Sequence, residues 1–235
     1  MSAEARFDGG QGKMTTGALR IALAGNPNCG KTTVFNAYTG ARQHVGNYPG
    51  VTVDRKEGHV RHGNVDITLV DLPGTYSLTA YSMEELVARA ELGSGDVQAV
   101  INVVDASALE RNLLLTVQMM EMGLPVVLVC NMMDEARKAG VHIDMERLSA
   151  MMGIPVVSAV ARTGEGLQQA LGEAVRLAGE GRHQVLELNY GADIDEGLRA
   201  MCAIINREGL LKKYAPHWIA VKLMEGDAEI RKEVH

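Results

Sequence analysis

The sequence predicts an α/β fold, a doubly wound and mostly parallel sheet followed by a small C-terminal helical domain. Three observations carry this. Short, mostly apolar runs without polar alternation recur at residues 19–24, 99–104 and 126–131, as strands do when both sheet faces are covered. Stretches of helical character separate them, and strands alternating with helices imply parallel pairing. After about Gly179 no sheet pattern returns, and glycines punctuate polar, helical stretches instead.

Residues 1–17 are Gly-rich and polar without periodicity. They are expected to be a disordered tail, in part an expression remnant, with Met14 as an alternative start. Residues 18–178 are expected to form the α/β domain and 179–235 the helical one. A buried strand over 19–24 leads into a Gly-rich turn at 25–30 and a helix over 31–38. Residues 41–54 carry Gly46, Pro49 and Gly50 and read as a long loop, a feature that in compact domains is functional or disordered. Residues 55–62 and 65–70 read as a strand pair turned at Gly63-Asn64. A loop over 71–81 and a helix over 82–91 follow, then a strand at 99–104, a helix at 109–122 and a strand at 126–131. The domain closes with a helix at 144–152, a strand at 155–158 and a helix at 166–177. In the tail, helices are expected at 193–206 and 228–235.

The 235 residues suit one full-sized α/β domain plus an appendage. Apolar residues make up 46% and supply a sizeable core, but aromatics are only 4%, so Val, Leu, Ile, Ala and Met must fill it. The net charge of −6 argues against a duplex-wrapping or polybasic membrane-surface protein. Cys29, Cys130 and Cys202 lie far apart, in neither a disulfide-like nor a metal-like spacing, and suit a reducing compartment. No signal-peptide core is visible near the N-terminus, and the longest mostly apolar runs fall far below the ~18 residues needed to cross a bilayer. The chain as it stands is expected to be soluble.

Gly25-Asn26-Pro27-Asn28-Cys29-Gly30-Lys31-Thr32 matches G-x-x-x-x-G-K-[ST], the Walker A pattern, in its required setting after an apolar strand and before a helix. This places the fold among the P-loop NTPases. Its glycines let the backbone wrap, so that loop residues 26–30 and the helix start at Thr33 surround phosphate oxygens, every one but Pro27 able to offer an N–H group, beside a positive helix end. Lys31 supplies a point charge to the β- and γ-phosphates. The Thr32 hydroxyl is a Mg2+ ligand candidate. Asp71-Leu72-Pro73-Gly74 follows the next strand: Asp71 would hold Mg2+ through water, and Gly74 would offer its N–H to a γ-phosphate.

Asn131-Met132-Met133-Asp134 resembles the [N/T]-K-x-D guanine motif of GTPases. A carboxylate at Asp134 accepts from guanine N1–H and N2–H2. Adenine lacks that donor pair and would leave Asp134 buried and unpaired. Asn131 would brace the loop, and the Met132 stem, standing where most relatives carry Lys, would cover one face of the base. Ser158, Ala159 and Val160 resemble the segment whose backbone N–H reaches guanine O6. Thr52, in the Gly50-Val51-Thr52-Val53 approach to a strand, is the candidate to complete the Mg2+ shell from a switch loop. Thr75 stands where Ras-like GTPases carry a water-orienting Gln, so slow intrinsic hydrolysis is expected. Some GTPases with an Asn at this P-loop position bind K+, and by that resemblance Asn28 is the candidate ligand for K+, which would supply the charge of an arginine finger. The catalytic candidates are thus Asn28, Lys31, Thr52 and Gly74.

Other signals point to packing. His59 and His62 fall on opposite strand faces. Tyr48 and Tyr76 read as switch packing or solvent-facing, the methionines near 119–122 and 151–152 as helix packing, and Glu84 and Glu85 as a solvated helix start.

The Walker A loop, Val45-Gly46-Asn47-Tyr48-Pro49-Gly50-Val51-Thr52-Val53, Asp71-Leu72-Pro73-Gly74-Thr75-Tyr76-Ser77-Leu78 and Asn131-Met132-Met133-Asp134 together resemble the FeoB family of bacterial ferrous iron transporters, in its cytoplasmic N-terminal part. The resemblance covers about residues 19–177. The helical remainder is similar, by weaker motifs, to that family's guanine-nucleotide-dissociation-inhibitor-like domain. The resemblance implies a Ras-like G domain that binds GTP and GDP with Mg2+, hydrolyses GTP with K+ stimulation, and regulates a membrane-embedded Fe2+ transport region of the same protein. It implies the cytoplasmic face of the bacterial inner membrane, and a chain truncated before that membrane region; a homo-oligomer is compatible with it. Cys29 departs from the Ser of many relatives, which bears on nucleotide affinity and redox sensitivity. A rival class is the RNA- or ribosome-maturation GTPases. The appendage is near neutral, without a basic-aromatic platform, so no nucleic-acid partner is expected.

Overall fold

The computed structural model describes residues 18–40, 42–181, 186, 188–210 and 213–234. The expected tail over 1–17, the first residue of the expected long loop and the last of the final expected helix lie outside the described residues. In chain order the elements are β1 (Leu19–Gly25), α1 (Lys31–Thr39), β2 (Gln43–Asn47), β3 (Asp54–His62), β4 (Val65–Asp71), α2 (Met83–Leu92), β5 (Ala99–Asp105), α3 (Leu109–Glu121) and β6 (Val126–Asn131). They continue with α4 (Met133–Lys138), α5 (Met145–Met152), β7 (Val156–Ser158), α6 (Leu167–Glu180), α7 (Ala192–Glu208), α8 (Pro216–Met224) and α9 (Ala228–Val234).

One seven-stranded sheet runs in the order β2-β3-β4-β1-β5-β6-β7. β4, β1, β5, β6 and β7 are parallel, while β3 runs antiparallel to β4 and β2 antiparallel to β3. The fold is therefore the mixed, mostly parallel α/β sheet with a C-terminal helical region that the sequence predicts. β1 shows how side-chain alternation builds both layers. Ile21 and Leu23 face α1 and α6, packing with Phe35, Tyr38, Leu167 and Leu171. Ala22 and Ala24 face the other way, into a core with Ala88 and Leu92 of α2 and Leu115 and Met119 of α3. β4 and β5 flank β1 on opposite sides, so its carboxyl end opens at the point where strand order reverses, the usual ligand crevice of such sheets.

The helical region continues the second layer. Leu198 and Ile205 of α7 and Trp218, Ile219 and Ala220 of α8 share one buried cluster with Leu78, Ala88, Leu92 and Leu115. Arg89 of α2 pairs with Asp227, ahead of α9, at 2.7 Å, with both side chains at most 5% exposed. Gly93, just past α2, lies so close to the Tyr214 ring that a methyl group there would collide with it.

Three elements correct the sequence expectation. The expected loop at 41–54 contains a strand, β2, whose five residues are all exposed. It bonds to β3 alone and faces no core, so the polar–apolar contrast that betrays a strand is missing. α8 was not expected. It is buried on most sides, with Trp218, Ile219 and Ala220 at 0% exposure, so it is apolar nearly all round and lacks a 3.6-residue stripe. Its one legible cue is Pro216 in the first helical turn. α4 was also not expected, being only six residues long and too short for a period to show.

Candidate functional site

The carboxyl end of β1 delivers residues 25–30. Asn28 and Gly30 both take left-handed backbone conformations, with φ of 65° and 84°. Gly30 admits no other residue, since a Cβ there would run into the Asn131 side-chain amide. α1 begins immediately after, its first bond running from Val34 N–H to the Gly30 carbonyl at 3.1 Å. The preceding N–H groups at its start therefore have no helical acceptor. Thr32 and Thr33 are exposed on this turn. Lys31 is buried and forms an ion pair with Asp71 at the end of β4.

The segment after Asp71 is stitched to the same loop. Leu72 N–H donates to the Leu23 carbonyl at 3.0 Å and Thr75 N–H to the Gly25 carbonyl at 3.3 Å. Gly74 lies against Pro27, whose Cα is 3.5 Å from where a Gly74 Cβ would stand. The residues fit a phosphate and a hard cation. Asn26 is 2% exposed and neither atom of its amide has a protein partner, so a buried donor and acceptor are available beside the loop. The Thr32 hydroxyl and the Asp71 carboxylate are hard oxygen donors of the kind Mg2+ takes.

Asn131 ties the two ends of the crevice together. Its Nδ2 donates to the Cys29 carbonyl at 2.9 Å, and its Oδ1 accepts from Ala161 N–H at 2.9 Å. Met132 is left-handed, at φ 60°, and its Cε lies 3.5 Å from the Gly30 Cβ position, so its stem sits beside the loop. Asp134 is half-buried in the first turn of α4, and its Oδ2 accepts from Arg162 Nη2 at 2.8 Å. Arg162 is a neighbour that sequence spacing did not single out. Ser158 Oγ is buried without a partner. The expectation of a backbone N–H aimed outward from this segment meets a different arrangement. Ala159 N–H donates to the Cys130 carbonyl at 2.9 Å and Val160 N–H to the Glu165 carbonyl at 3.1 Å. Both donors are engaged because the β7 ladder runs directly into a tight turn.

The switch candidates lie in the connection between β2 and β3. Tyr48 N–H donates to the Val53 carbonyl at 2.9 Å, closing a turn in which Gly50 takes φ 78°. Tyr48 is 8% exposed and carries Arg55 over its ring at 5.6 Å, so it is packing rather than solvent-facing. Thr52 is exposed, and among the described residues no hydrogen bond ties its side chain to Thr32 or Asp71. Glu85 closes a capping box with Ser82 and also accepts from Ser77 Oγ at 2.8 Å, fastening the segment after Gly74 to α2. Burial pushes the Cys29 thiol up to about 11 despite the partly offsetting pull of Lys31, and with 1% exposure it is an inert packing sulfur.

Comparison with known proteins identifies a family. The family model for ferrous iron transport protein B matches residues 19–174, and that for the FeoB cytosolic helical domain matches residues 190–235. An Fe(2+) transport protein A/Fe(2+) transporter FeoB fusion protein of Porphyromonas gingivalis is 49% identical over 221 residues, covering 92% of this chain and 26% of the relative. The Fe(2+) transporter FeoB of Staphylococcus aureus is 41% identical over 213 residues, covering 91% and 32%. The chain thus spans about a quarter to a third of the length of these curated relatives. Among solved structures, the cytosolic domain of the T. maritima FeoB iron transporter in a GDP form aligns with TM-score 0.86 and 39% identity, over 92% of this chain and 84% of that one. The same domain in a GMPPNP form aligns with TM-score 0.87 and 39% identity, over 92% and 84%.

Proposed function

The chain belongs to the ferrous iron transport protein B family, and on that premise we propose that it binds and hydrolyses GTP as the regulatory G domain of a membrane transporter for Fe2+. Residues 18–178 are the G domain in this reading, and 179–235 a helical domain that favours the GDP state. The observation that carries it is the meeting of Lys31 with Asp71 at one end of a crevice, and of Asn131 with both the phosphate loop and the turn beside Asp134 at the other.

The residues divide the work. Lys31 exchanges Asp71 for the β- and γ-phosphates, and backbone N–H groups of residues 28–33 hold the rest of the phosphate chain. Thr32, Asp71 and, from the switch loop, Thr52 are the Mg2+ ligands, and Gly74 offers its N–H to the γ-phosphate. Mg2+ held by these residues would offset the charge of the phosphates. Asn28 is the K+ ligand. Asp134 selects guanine, Asn131 holds that loop in place and Met132 covers the base. A contact to O6 from the N–H of Ala159 or Val160 requires its present backbone bond to exchange. Thr75 is too short to orient water as a Gln does, which makes unassisted turnover slow.

Calorimetric titration with GDP and ADP tests the guanine assignment. GDP should bind well over tenfold more tightly, and Asp134→Asn should move the preference toward xanthine nucleotides. Equal affinity for GDP and ADP would refute it. GTP turnover in KCl against NaCl tests the cation site: Asn28→Ala should abolish any K+ stimulation, and an unchanged ratio sinks that role.

A further inference from the structure

Arg162 projects from a turn whose backbone is fixed on both sides. Ala161 N–H is held by Asn131 Oδ1 at 2.9 Å, and the N–H groups of Thr163 and Gly164 by the Val160 carbonyl at 3.0 and 3.1 Å. The Arg162 side chain is 72% exposed, while that of Asp134, which it contacts at 2.8 Å, is only 26% exposed. The carboxylate is therefore the fixed partner and the guanidinium the movable one. A guanidinium is also a chemical copy of the edge of guanine that Asp134 is suited to read. Both present N–H donors in one plane from a carbon bearing nitrogens, in a fork that matches a carboxylate.

We propose that Arg162 is a built-in competitor for the guanine base, occupying Asp134 as a surrogate of the N1–H and N2–H2 edge, and so sets nucleotide affinity. This rests on the reading of Asp134 as the guanine-selecting carboxylate. A ligand that must displace an internal group binds more weakly by the fraction of molecules in which that group is already out of the way. An exposed ion pair of this kind is only modestly favourable, so the factor is small, about threefold. It acts at the base, so it applies equally to GDP and GTP and not at all to pyrophosphate, which uses only the Lys31 end.

Competition titrations against a fluorescent guanine nucleotide, on the whole chain, test this. Arg162→Ala should tighten GDP about threefold and leave pyrophosphate unchanged. Arg162→Lys, which keeps the charge but not the fork, should tighten it less. With Asp134 already replaced by Ala, adding Arg162→Ala should change nothing. GDP affinity that is unchanged or weaker in Arg162→Ala overturns the proposal, since the arginine would then be idle or would contact the nucleotide itself. A gain that persists without the Asp134 carboxylate overturns it as well. The underlying guanine reading fails by a separate result, namely an intact preference for GDP over ADP in Asp134→Ala.

Discussion

Cys29 sits in the middle of the phosphate loop, yet its backbone and its sulfur do different things. The sulfur packs into the core with Val34, Phe35 and Ile21, and burial lifts its ionisation to about 11. An unfolded thiol loses its proton near 8.5, whereas the folded one keeps it to about 11. Between those values the unfolded chain binds fewer protons, so stability falls as pH rises. The melting temperature should drop between about pH 9 and 11, and drop less steeply in Cys29→Ala, when measured by circular dichroism against pH. The same substitution costs packing at every pH, so it is the slope and not the offset that matters. Replacement of a loop Ser by Cys is legible in the sequence; that the thiol is silent is not, because burial depends on what α1 and β1 place around it. Lys31, Asp71, Asn131 and Asp134 were legible for the opposite reason: phosphate and guanine dictate residue types at fixed spacings. Arg162 obeys no such spacing, and only the fold of the 159–166 turn sets it against Asp134.

At the level of elements, α2 is gripped at both ends. Glu85 binds its N-terminus to Ser77 and to the N–H groups of Tyr81 and Ser82, and Arg89 near its C-terminus holds Asp227. Burial alone would raise the Asp227 carboxyl, but Arg89 and the N–H groups of Glu229 and Ile230 outweigh it and leave it below the ordinary carboxylate range. Asp227→Ala strands a buried guanidinium and removes a helix cap, and should cost about 3 kcal/mol in chemical denaturation. A depressed carboxylate stabilises the fold above its unfolded value and ceases to do so as pH falls through the folded one. Wild type should therefore lose stability below about pH 4 more steeply than Asp227→Asn. An equal acid slope in both proteins would show that this pair contributes nothing. Glu85 reads in the sequence as a solvated helix start; its capping box with Ser82 and its bond to Ser77 correct that reading. β2 and α8 were not legible, since one faces water on every residue and the other is surrounded by neighbours, and periodicity registers only elements that are half of each.

Over the whole molecule, one buried cluster runs from Ala22 and Val70 of the sheet through α2 and α3 to Leu198, Trp218 and Ile230 of the helical region. A core shared in this way joins the two regions energetically as well as spatially. The chain should unfold in a single transition, with calorimetric and van't Hoff enthalpies equal. Two resolved transitions would show that the helical region melts on its own. The layer order and the parallel sheet were legible because buried strands and the phosphate loop have strong local signatures. The union of the two regions was not, because it depends on which face of α7 and α8 meets α2, and that is a property of the assembled chain. Trp218 lies at 0% exposure within this seam, 4.6 Å from the Tyr214 ring and 5.4 Å from the Arg89 guanidinium. It is also the sole tryptophan in the sequence. The protein thus carries an intrinsic optical gauge: any event at the nucleotide crevice that loosens the helical region will shift and quench a single indole emission band, readable in real time with no dye attached.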